Sequence, residues 1–171
     1  MEIFSFPPIA TRDAKLLILG SMPGKASLAA NQYYAHPRNL FWSLLGELAG
    51  AYPHLDYAER IRILNTRGIA VWDVLKSCRR AGSLDSDIEK ASMITNDFLS
   101  FFTEHPHIKH IFFNGATAEQ TFRKQVLPTL DKQSFELNRL PSSSPAHAAV
   151  SFQEKLHLWR IIVDHGFAGD N

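Results

Sequence analysis

The chain has 171 residues, of which 45% are hydrophobic and 20% are charged, and its formal net charge at pH 7 is +1. These values suit one globular domain and argue against disordered, fibrous and strongly basic proteins, although a nearly neutral chain can still bind nucleic acid through a local basic patch. The single cysteine, Cys78, excludes an intramolecular disulfide, a cysteine-ligated zinc site and an iron–sulfur cluster. No segment approaches the roughly 20 apolar residues of a membrane span, and no signal-peptide pattern opens the chain, so we expect an intracellular, cytoplasmic protein.

The first half of the chain alternates between apolar runs and amphipathic segments. Residues 15–20, "KLLILG", form a continuous apolar run that ends in glycine, which is typical of a strand buried on both faces. After the turn "GSMPG", the segment from Arg38 places apolar side chains at helical spacing, and Gly50 is a candidate C-cap. A second helix is predicted over "YAERIRILNTR", ending at Gly68, and a strand follows at 69–75.

The second half continues this alternation. "SDIE" at 86–89 matches the capping-box pattern and predicts the start of a helix that contains Ile94, Phe98 and Phe101. "IKHIFFNG" at 108–115 predicts another buried strand that ends in glycine, and "ATAEQTFRKQVL" predicts the helix after it.

The last elements complete an α/β pattern. "FELNRLP" predicts a strand that leads into the small-residue loop "SSSPAHA", and "SFQEKLHLWRIIVDHG" predicts a helix that is capped by Ser151 with Glu154 and ended by Gly166. Short strands that alternate with helices predict a single-domain, three-layer α/β/α fold with a central, mainly parallel sheet over residues 1–171.

Three loops follow predicted strands and should meet at one edge of this sheet. Ligands of open parallel sheets bind beyond the carboxyl ends of the strands. The rule brings together "GSMPG", "FNGAT" and "LPSSSP", with "YYAHPRN" immediately downstream of the first loop. We therefore expect the functional site at this edge.

The glycine-containing loop does not match the common phosphate or nucleophile motifs. Only three residues separate Gly20 from Gly24, and Ala26 follows Lys25 where a nucleotide-binding loop needs a hydroxyl. Ser21 directly follows Gly20, which differs from the nucleophile elbow. A turn whose glycines allow unusual backbone angles is the simpler interpretation.

Two other clusters favour structural interpretations. His105, His107 and His110 are spaced like metal ligands, but no carboxylate stands beside them as a convincing partner, so we predict a solvated connector and no metal or other cofactor. The serines of "SSSP" could include a nucleophile, but no Ser-His-Asp framework surrounds them, and a tight turn is favoured.

The segment "YYAHPRNLFW" combines core residues with candidate site residues. Phe41 and Trp42 fit the buried face of the predicted helix, whereas Tyr33 and Tyr34 precede it in a polar loop. Asn39 stands at the start of the helix, where capping would explain it. The segment is therefore predicted to be half pocket wall and half core.

These loops, in this order, resemble motifs of the uracil-DNA glycosylase superfamily. "GSMPG" and "YYAHPRNLFW" are similar to the mismatch-specific branch, whose corresponding stretches read Gly-Ile-Asn-Pro-Gly and Phe-Ala-His-Pro-Ala-Asn-Arg-Phe-Trp. "NGATAEQTF" and "LPSSSPAHA" resemble its later motifs. The departures point to the hypoxanthine-DNA (deoxyinosine) glycosylase subfamily, and the resemblance covers roughly residues 15–160.

The resemblance implies a pocket for a base that has been flipped out of the duplex. It implies that Tyr34 stacks on one face of the base and that Asn114 reads its edge. Gly20, Ser21 and Met22 would line the pocket floor.

The same resemblance implies a DNA-binding surface around the pocket. The loop of Ser142, Ser143 and Ser144 would pinch phosphates, and Lys25 and Arg38 would add positive charge at the mouth. Further cations in predicted carboxyl-end loops support a phosphate track, with ordinary surface charge as the alternative for each: Lys76, Arg79, Arg80 and Arg139.

Two departures from the family pattern bear on the chemistry. Met22 stands where relatives carry an Asp or Asn that positions the attacking water, and Asn39 is the substitute that the subfamily implies. Leu140 replaces the histidine of the classical uracil enzymes, so the departing base must be stabilised by other groups, such as Asn114 or backbone amides. Asn39 can orient water but is no strong base, which favours bases that leave readily.

We therefore expect a monofunctional DNA glycosylase of base excision repair that removes hypoxanthine first and uracil second, acting as a monomer on DNA with deaminated bases. Three alternatives stay open: a non-catalytic nucleic-acid-binding domain of the same fold, a uracil- or thymine-mismatch glycosylase with little hypoxanthine activity, and a small-molecule hydrolase that uses the serine loop. Pocket size near Tyr34 and Met22 bears on the second, because a purine needs more room than a pyrimidine.

Overall fold

A parallel sheet with helices on both faces forms the centre of the protein. The computed structural model describes residues 1–131 and 134–166. Its strands within these ranges are β1 (Glu2–Phe4), β2 (Leu16–Gly20), β3 (Ile69–Asp73), β4 (Leu75–Arg79), β5 (Ile94–Thr95), β6 (His110–Asn114) and β7 (Glu136–Leu140). The central sheet has the order β3-β2-β6-β7, and each neighbouring pair is parallel. The predicted fold class and the central strands are confirmed.

Helices surround this sheet. They are α1 (Lys25–Ala30), α2 (Phe41–Ala49), α3 (Tyr57–Arg67), α4 (Phe98–Glu104), α5 (Ala116–Thr121), α6 (Phe152–Trp159) and α7 (Ile161–Gly166). A π-helical turn at Phe122–Val126 continues α5, so the helical segment covers almost all of the predicted helix "ATAEQTFRKQVL". Among the described residues, no helix is both long enough and apolar enough to cross a bilayer.

The two faces of the sheet build two hydrophobic cores. Along β2, Leu16 and Ile18 pack with the side chains of α2, α3 and α6, whereas Leu17 and Leu19 pack with those of α4 and α5. All four side chains are fully buried, because successive residues of a strand point to opposite faces. A continuous apolar run is therefore the pattern that this strand requires.

Glycines end α2 and α3, as predicted. Gly50 has a φ of 85° and donates its amide to the Gly46 carbonyl, and Gly68 has a φ of 76° and donates to the Asn65 carbonyl. Both have the left-handed conformation that glycine adopts at little cost.

The helix predicted to open at 86–89 begins later. Ile94 lies in β5, and α4 starts at Phe98 after Asp97, whose carboxylate accepts a hydrogen bond from the Ser100 amide at 3.1 Å. The predicted capping box is therefore wrong, although the apolar residues of α4 are buried as expected.

Contacts with a second, antiparallel sheet explain this difference. This sheet has the order β1-β4-β5 and was not predicted. Ile88 packs against Leu75 and Cys78, and the Glu89 amide donates to the Arg79 carbonyl at 2.9 Å. These contacts hold Ile88 and Glu89 extended after a short 3-10 turn at Asp85–Asp87, and tertiary packing overrides the local helical signal.

The carboxyl-terminal helix is capped as predicted and is divided at Arg160. The Ser151 hydroxyl accepts a hydrogen bond from the Glu154 amide at 3.2 Å. Gly166 is the last residue of α7, and the chain beyond it lies outside the described residues. The buried Trp159 indole of α6 donates to the Pro141 carbonyl at 2.9 Å, which ties this helix to the serine loop.

Replacing Ser151 by alanine should lower the free energy of unfolding by about 1 kcal/mol, because the capping acceptor of α6 is lost. Urea denaturation of both proteins measures the difference. Ser151→Asp keeps an acceptor at this position and should stay close to wild type; equal losses in the two variants would contradict a capping role.

Candidate active site

A cavity of about 670 Å³ opens at the carboxyl edge of the parallel sheet. All of the predicted site residues line it: Gly20, Ser21, Met22, Lys25, Tyr34, Arg38, Asn39, Asn114, Ser142, Ser143 and Ser144. Asp73, the last residue of β3, and the loop at 83–86 complete the wall and were not predicted to belong to the site. The volume lies within the usual range for small-molecule and cofactor sites.

Tyr34 forms an aromatic wall of the cavity. Its ring stacks on Phe41 with 4.0 Å between ring centroids and 21° between ring planes, so its remaining face is the one available to a ligand. Tyr34 has a φ of 53°, a conformation uncommon for residues other than glycine and frequent at functional sites. Burial, followed by the neighbouring Asp73, raises the pKa of its hydroxyl, while the nearby Asn114 amide lowers it.

Tyr33, by contrast, belongs to the core. It is 4% exposed, its hydroxyl donates to the Pro7 carbonyl at 2.8 Å, and its own carbonyl accepts the indole N–H of Trp42 at 2.8 Å. The segment is divided between core and pocket wall, but Tyr33, which the sequence placed in the polar loop with Tyr34, belongs mainly to the core and only borders the cavity.

Asn39 lies just before Leu40, the N-cap of α2, binds the first amide of that helix and also lines the cavity. Its Oδ1 accepts a hydrogen bond from the Phe41 amide at 3.0 Å. A carbonyl oxygen can accept two hydrogen bonds, so this contact fixes the side-chain amide and leaves acceptor capacity for a further donor. Capping and a role in the site are therefore compatible.

Asn114 is held by the serine loop through two hydrogen bonds. Its Nδ2 donates to the Ser143 hydroxyl at 2.9 Å, and its Oδ1 accepts the Ser143 amide at 2.8 Å. The Ser143 carbonyl also accepts the Leu40 amide at 3.0 Å. Ser143 is fully buried, so it braces Asn114 and the start of α2 and presents no hydroxyl to solvent, whereas Ser142 and Ser144 are partly exposed.

Gly20 leaves space at the floor of the cavity. A Cβ on this residue would lie 2.6 Å from Oδ1 of Asp73 and 2.7 Å from the Tyr34 hydroxyl, so both oxygens approach the backbone where a side chain would stand. Beside it, the Ser21 hydroxyl donates to Oδ1 of Asp85 at 2.5 Å. Met22 is buried and packs against the small sheet.

Asp73 is a buried carboxyl group on this floor. It is 3% exposed, and its Oδ2 is buried without a hydrogen-bond partner among the described residues. Burial, then the negative charge of Asp85, raises the pKa of Asp73 to about 7, against the opposing effect of Arg80. An acidic residue directly after the apolar run "IAVW" is the sequence signal that could have revealed it.

Most of the additional cations suggested by the sequence do not lie in carboxyl-end loops. Lys76 and Arg79 lie on β4, and Arg79 pairs with Glu89 at 2.8 Å. Arg80 is 6% exposed and donates to the carbonyls of Pro23 and Gly82, so it braces two loops instead of facing DNA.

The other predicted cations divide between an ion pair and the cavity mouth. Arg139 lies on β7 and pairs with Glu119 at 2.7 Å. Lys25 and Arg38, in contrast, are exposed and line the cavity.

The histidines considered as metal ligands lie away from the cavity wall. His110 lies on β6, 3.2 Å from Glu136, and His105 follows α4. Within residues 1–131 and 134–166, no group of three or more His, Cys, Asp or Glu side chains is arranged to hold a metal ion.

Comparison with known proteins identifies the family. Residues 7–164 match the family model for the uracil DNA glycosylase superfamily. The chain belongs to that superfamily. As a superfamily member it is a hydrolase of N-glycosidic bonds, and the predicted family and enzyme class are confirmed.

Similar proteins come from two Methanosarcina species. The hypoxanthine DNA glycosylase of Methanosarcina barkeri is 35% identical over 148 residues, covering 86% of this chain and 89% of that protein. The one of Methanosarcina acetivorans is 33% identical over 161 residues, covering 94% and 97%. A solution NMR structure from Methanosarcina acetivorans, provisionally named a uracil DNA glycosylase, has a TM-score of 0.79 at 32% identity and covers 96% of this chain and 98% of that one.

The buried Asp73 should make the stability of the protein depend on pH. Its pKa is about 7 in the folded protein, whereas an unperturbed aspartate has a pKa of 3.8. Folding is therefore coupled to the uptake of a proton between pH 3.8 and pH 7. Relative to Asp73→Asn, the wild type should lose free energy of unfolding as pH rises from 4 to 7, by up to about 4 kcal/mol. Urea denaturation of both proteins across this range measures the effect, and parallel stability curves would contradict it.

Proposed function

We propose that the protein is a monofunctional DNA glycosylase that flips a deaminated base into this cavity and hydrolyses its bond to deoxyribose. Hypoxanthine in deoxyinosine is the first substrate and uracil the second, and the product is an abasic site. The supporting observation is the convergence of Tyr34, Asn114 and Asn39 on one cavity of about 670 Å³. The names of the two Methanosarcina relatives favour hypoxanthine.

Tyr34 and Asn114 are the proposed base-binding pair. The free face of Tyr34, opposite Phe41, would stack on the flipped base. After its two hydrogen bonds with Ser143, Asn114 retains one amide hydrogen and one carbonyl lone pair. This donor and acceptor pair can read a base edge that carries both a carbonyl and an N–H, as hypoxanthine and uracil do. Gly20, Ser21 and Met22 would form the floor beneath it.

Asn39 is the proposed residue for the attacking water. Its Oδ1 is fixed by the Phe41 amide and keeps a second lone pair, which could orient a water molecule towards the sugar. Its side chain cannot take up the proton as a base, so the catalytic effect must come from positioning and from stabilisation of the departing base. This requirement favours deaminated bases, because hypoxanthine and uracil leave more readily than adenine or thymine does.

DNA containing deaminated bases is the proposed partner of the cavity mouth. The exposed Lys25 and Arg38 supply positive charge there, and Ser142 and Ser144 supply partly exposed hydroxyls for phosphate contacts. Ser143 would act through Asn114. The protein would act as a monomer within the cell, without a metal or other cofactor.

Alkali-dependent cleavage of end-labelled duplexes with one deoxyinosine or one deoxyuridine tests this function. Wild-type protein should produce breaks only after alkali, faster for deoxyinosine, and Asn39→Ala should lower the single-turnover rate by at least 100-fold, because the water loses its acceptor. Breaks without alkali would contradict a monofunctional mechanism, and binding without any cleavage would indicate a non-catalytic domain.

A second variant separates catalysis from helix capping. Asn39→Ser keeps a short acceptor for the Phe41 amide but does not reach as far into the cavity. We expect thermal stability near that of the wild type, with excision as slow as in Asn39→Ala. Wild-type rates in Asn39→Ser would show that Asn39 serves only as a cap.

The cations at the mouth should set the salt dependence of DNA binding. Lys25→Ala and Arg38→Ala should each reduce the slope of log K against log salt by about 1, because each removes one phosphate contact. Fluorescence anisotropy with a deoxyinosine duplex measures the slope. Lys109→Ala is the matched control, since Lys109 is exposed at the opposite edge of the sheet, immediately before β6; an equal change there would contradict a localised DNA surface.

A further inference from the structure

Asp73 lines the same cavity and carries an unsatisfied carboxyl oxygen. Its Oδ2 is buried without a hydrogen-bond partner among the described residues, and the side chain is one of those that line the cavity wall. Buried polar atoms are nearly always satisfied, since desolvation without a hydrogen bond is costly. An orphan carboxyl oxygen beside a cavity therefore indicates a partner that arrives with the ligand.

The charged and titratable groups around Asp73 favour its neutral form. Asp85 opposes a second negative charge, and the buried hydroxyls of Tyr33 and Tyr34 offer no positive charge. Arg80 attracts the carboxylate and so opposes this effect; its Nε and Nη2 donate to the carbonyls of Gly82 and Pro23, and its Nη1 is buried without a hydrogen-bond partner among the described residues. The carboxyl pKa of about 7 means that a large share of Asp73 carries a proton near neutral pH.

The departing base needs a proton donor that the rest of the cavity floor does not supply. Leu140 is apolar and packs in the core, and Asn39 is neutral and serves the opposite side of the reaction. Lys25, Arg38 and His147 line the cavity as exposed residues, whereas Asp73 is almost completely buried. A purine that leaves through N9 becomes a better leaving group when another ring nitrogen is protonated.

We infer that Asp73 is a further catalytic residue, which donates its proton to a ring nitrogen of the departing hypoxanthine, N7 or N3. This inference rests on the proposed function. The O–H bond of Asp73 breaks and an N–H bond forms on the base, while the electron pair of the bond between C1′ and N9 passes to the base. Water then adds to C1′ and releases a proton to solvent, and Asp73 regains a proton from solvent. Neutral hypoxanthine and an abasic site are the products.

Single-turnover excision of deoxyinosine between pH 5.5 and 9 tests the inference. The acid form is active, so the wild-type rate should be constant at low pH and fall about tenfold per pH unit above roughly pH 7. Asp73→Asn is isosteric and removes only the proton donor. It should be slower by about 100- to 10,000-fold at pH 6 and show no such pH break.

Substrates without the accepting nitrogen locate the proton. 7-Deaza-deoxyinosine lacks N7, and 3-deaza-deoxyinosine lacks N3. On the analogue that lacks the nitrogen protonated by Asp73, the ratio of the wild-type rate to the Asp73→Asn rate should fall towards 1. An unchanged ratio on both analogues, or the wild-type pH profile in Asp73→Asn, would overturn the inference while the proposed function stands. No cleavage by the wild type at any pH would overturn both.

Two further variants control for neighbouring titrations. Asp85→Asn removes a negative neighbour and should move the pH break to lower pH without abolishing it. His36 and His147 also line the cavity, and histidine is the other side chain there that commonly changes charge between pH 5 and 8. The double variant His36→Gln, His147→Gln should keep the break, and its loss would assign the proton to a histidine.

Discussion

The parallel register of β2 with β3 is the constraint on which the site depends. It pairs Gly20 with Asp73, while Asn114 ends the strand on the other side of β2. Because Gly20 has no side chain, the Asp73 carboxyl and the Tyr34 hydroxyl can both occupy the space above its backbone. A larger residue at this position would push apart the groups that form the cavity floor.

A network of hydrogen bonds between side chains and backbone groups holds the other residues of the site in place. The Ser143 backbone and hydroxyl bind both ends of the Asn114 amide, and the Ser143 carbonyl binds the Leu40 amide at the start of α2. Asn39 in turn binds the Phe41 amide. The amides of Asn114 and Asn39, which we propose read the base and orient the water, are thus fixed relative to one another by short hydrogen bonds, which is the kind of preorganisation that positioning catalysis requires.

Charge is separated by depth in the cavity, which reconciles a net charge of +1 with DNA as the partner. Exposed cations line the mouth, where phosphates would approach, while Arg80 is used internally to brace loops. The acidic Asp73 lies on the floor, where low exposure to water raises its pKa and favours its neutral form. A few well-placed charges therefore suffice, and the remaining surface can stay balanced.

Local patterns determined much of this protein. Local patterns gave the strands of the central sheet, glycines marked the ends of α2 and α3, and the order of the loops placed Tyr34, Asn39 and Asn114 at one edge. These features depend on neighbours within a few residues, so the sequence carries them directly. Only the tertiary structure decided that Ile88 and Glu89 would pair with Arg79 and Arg80 at the end of β4, and that Ser143, Arg80 and Asp73 would be buried. Burial and pKa depend on groups that are distant along the chain, and contacts with such groups leave no periodic pattern in the sequence.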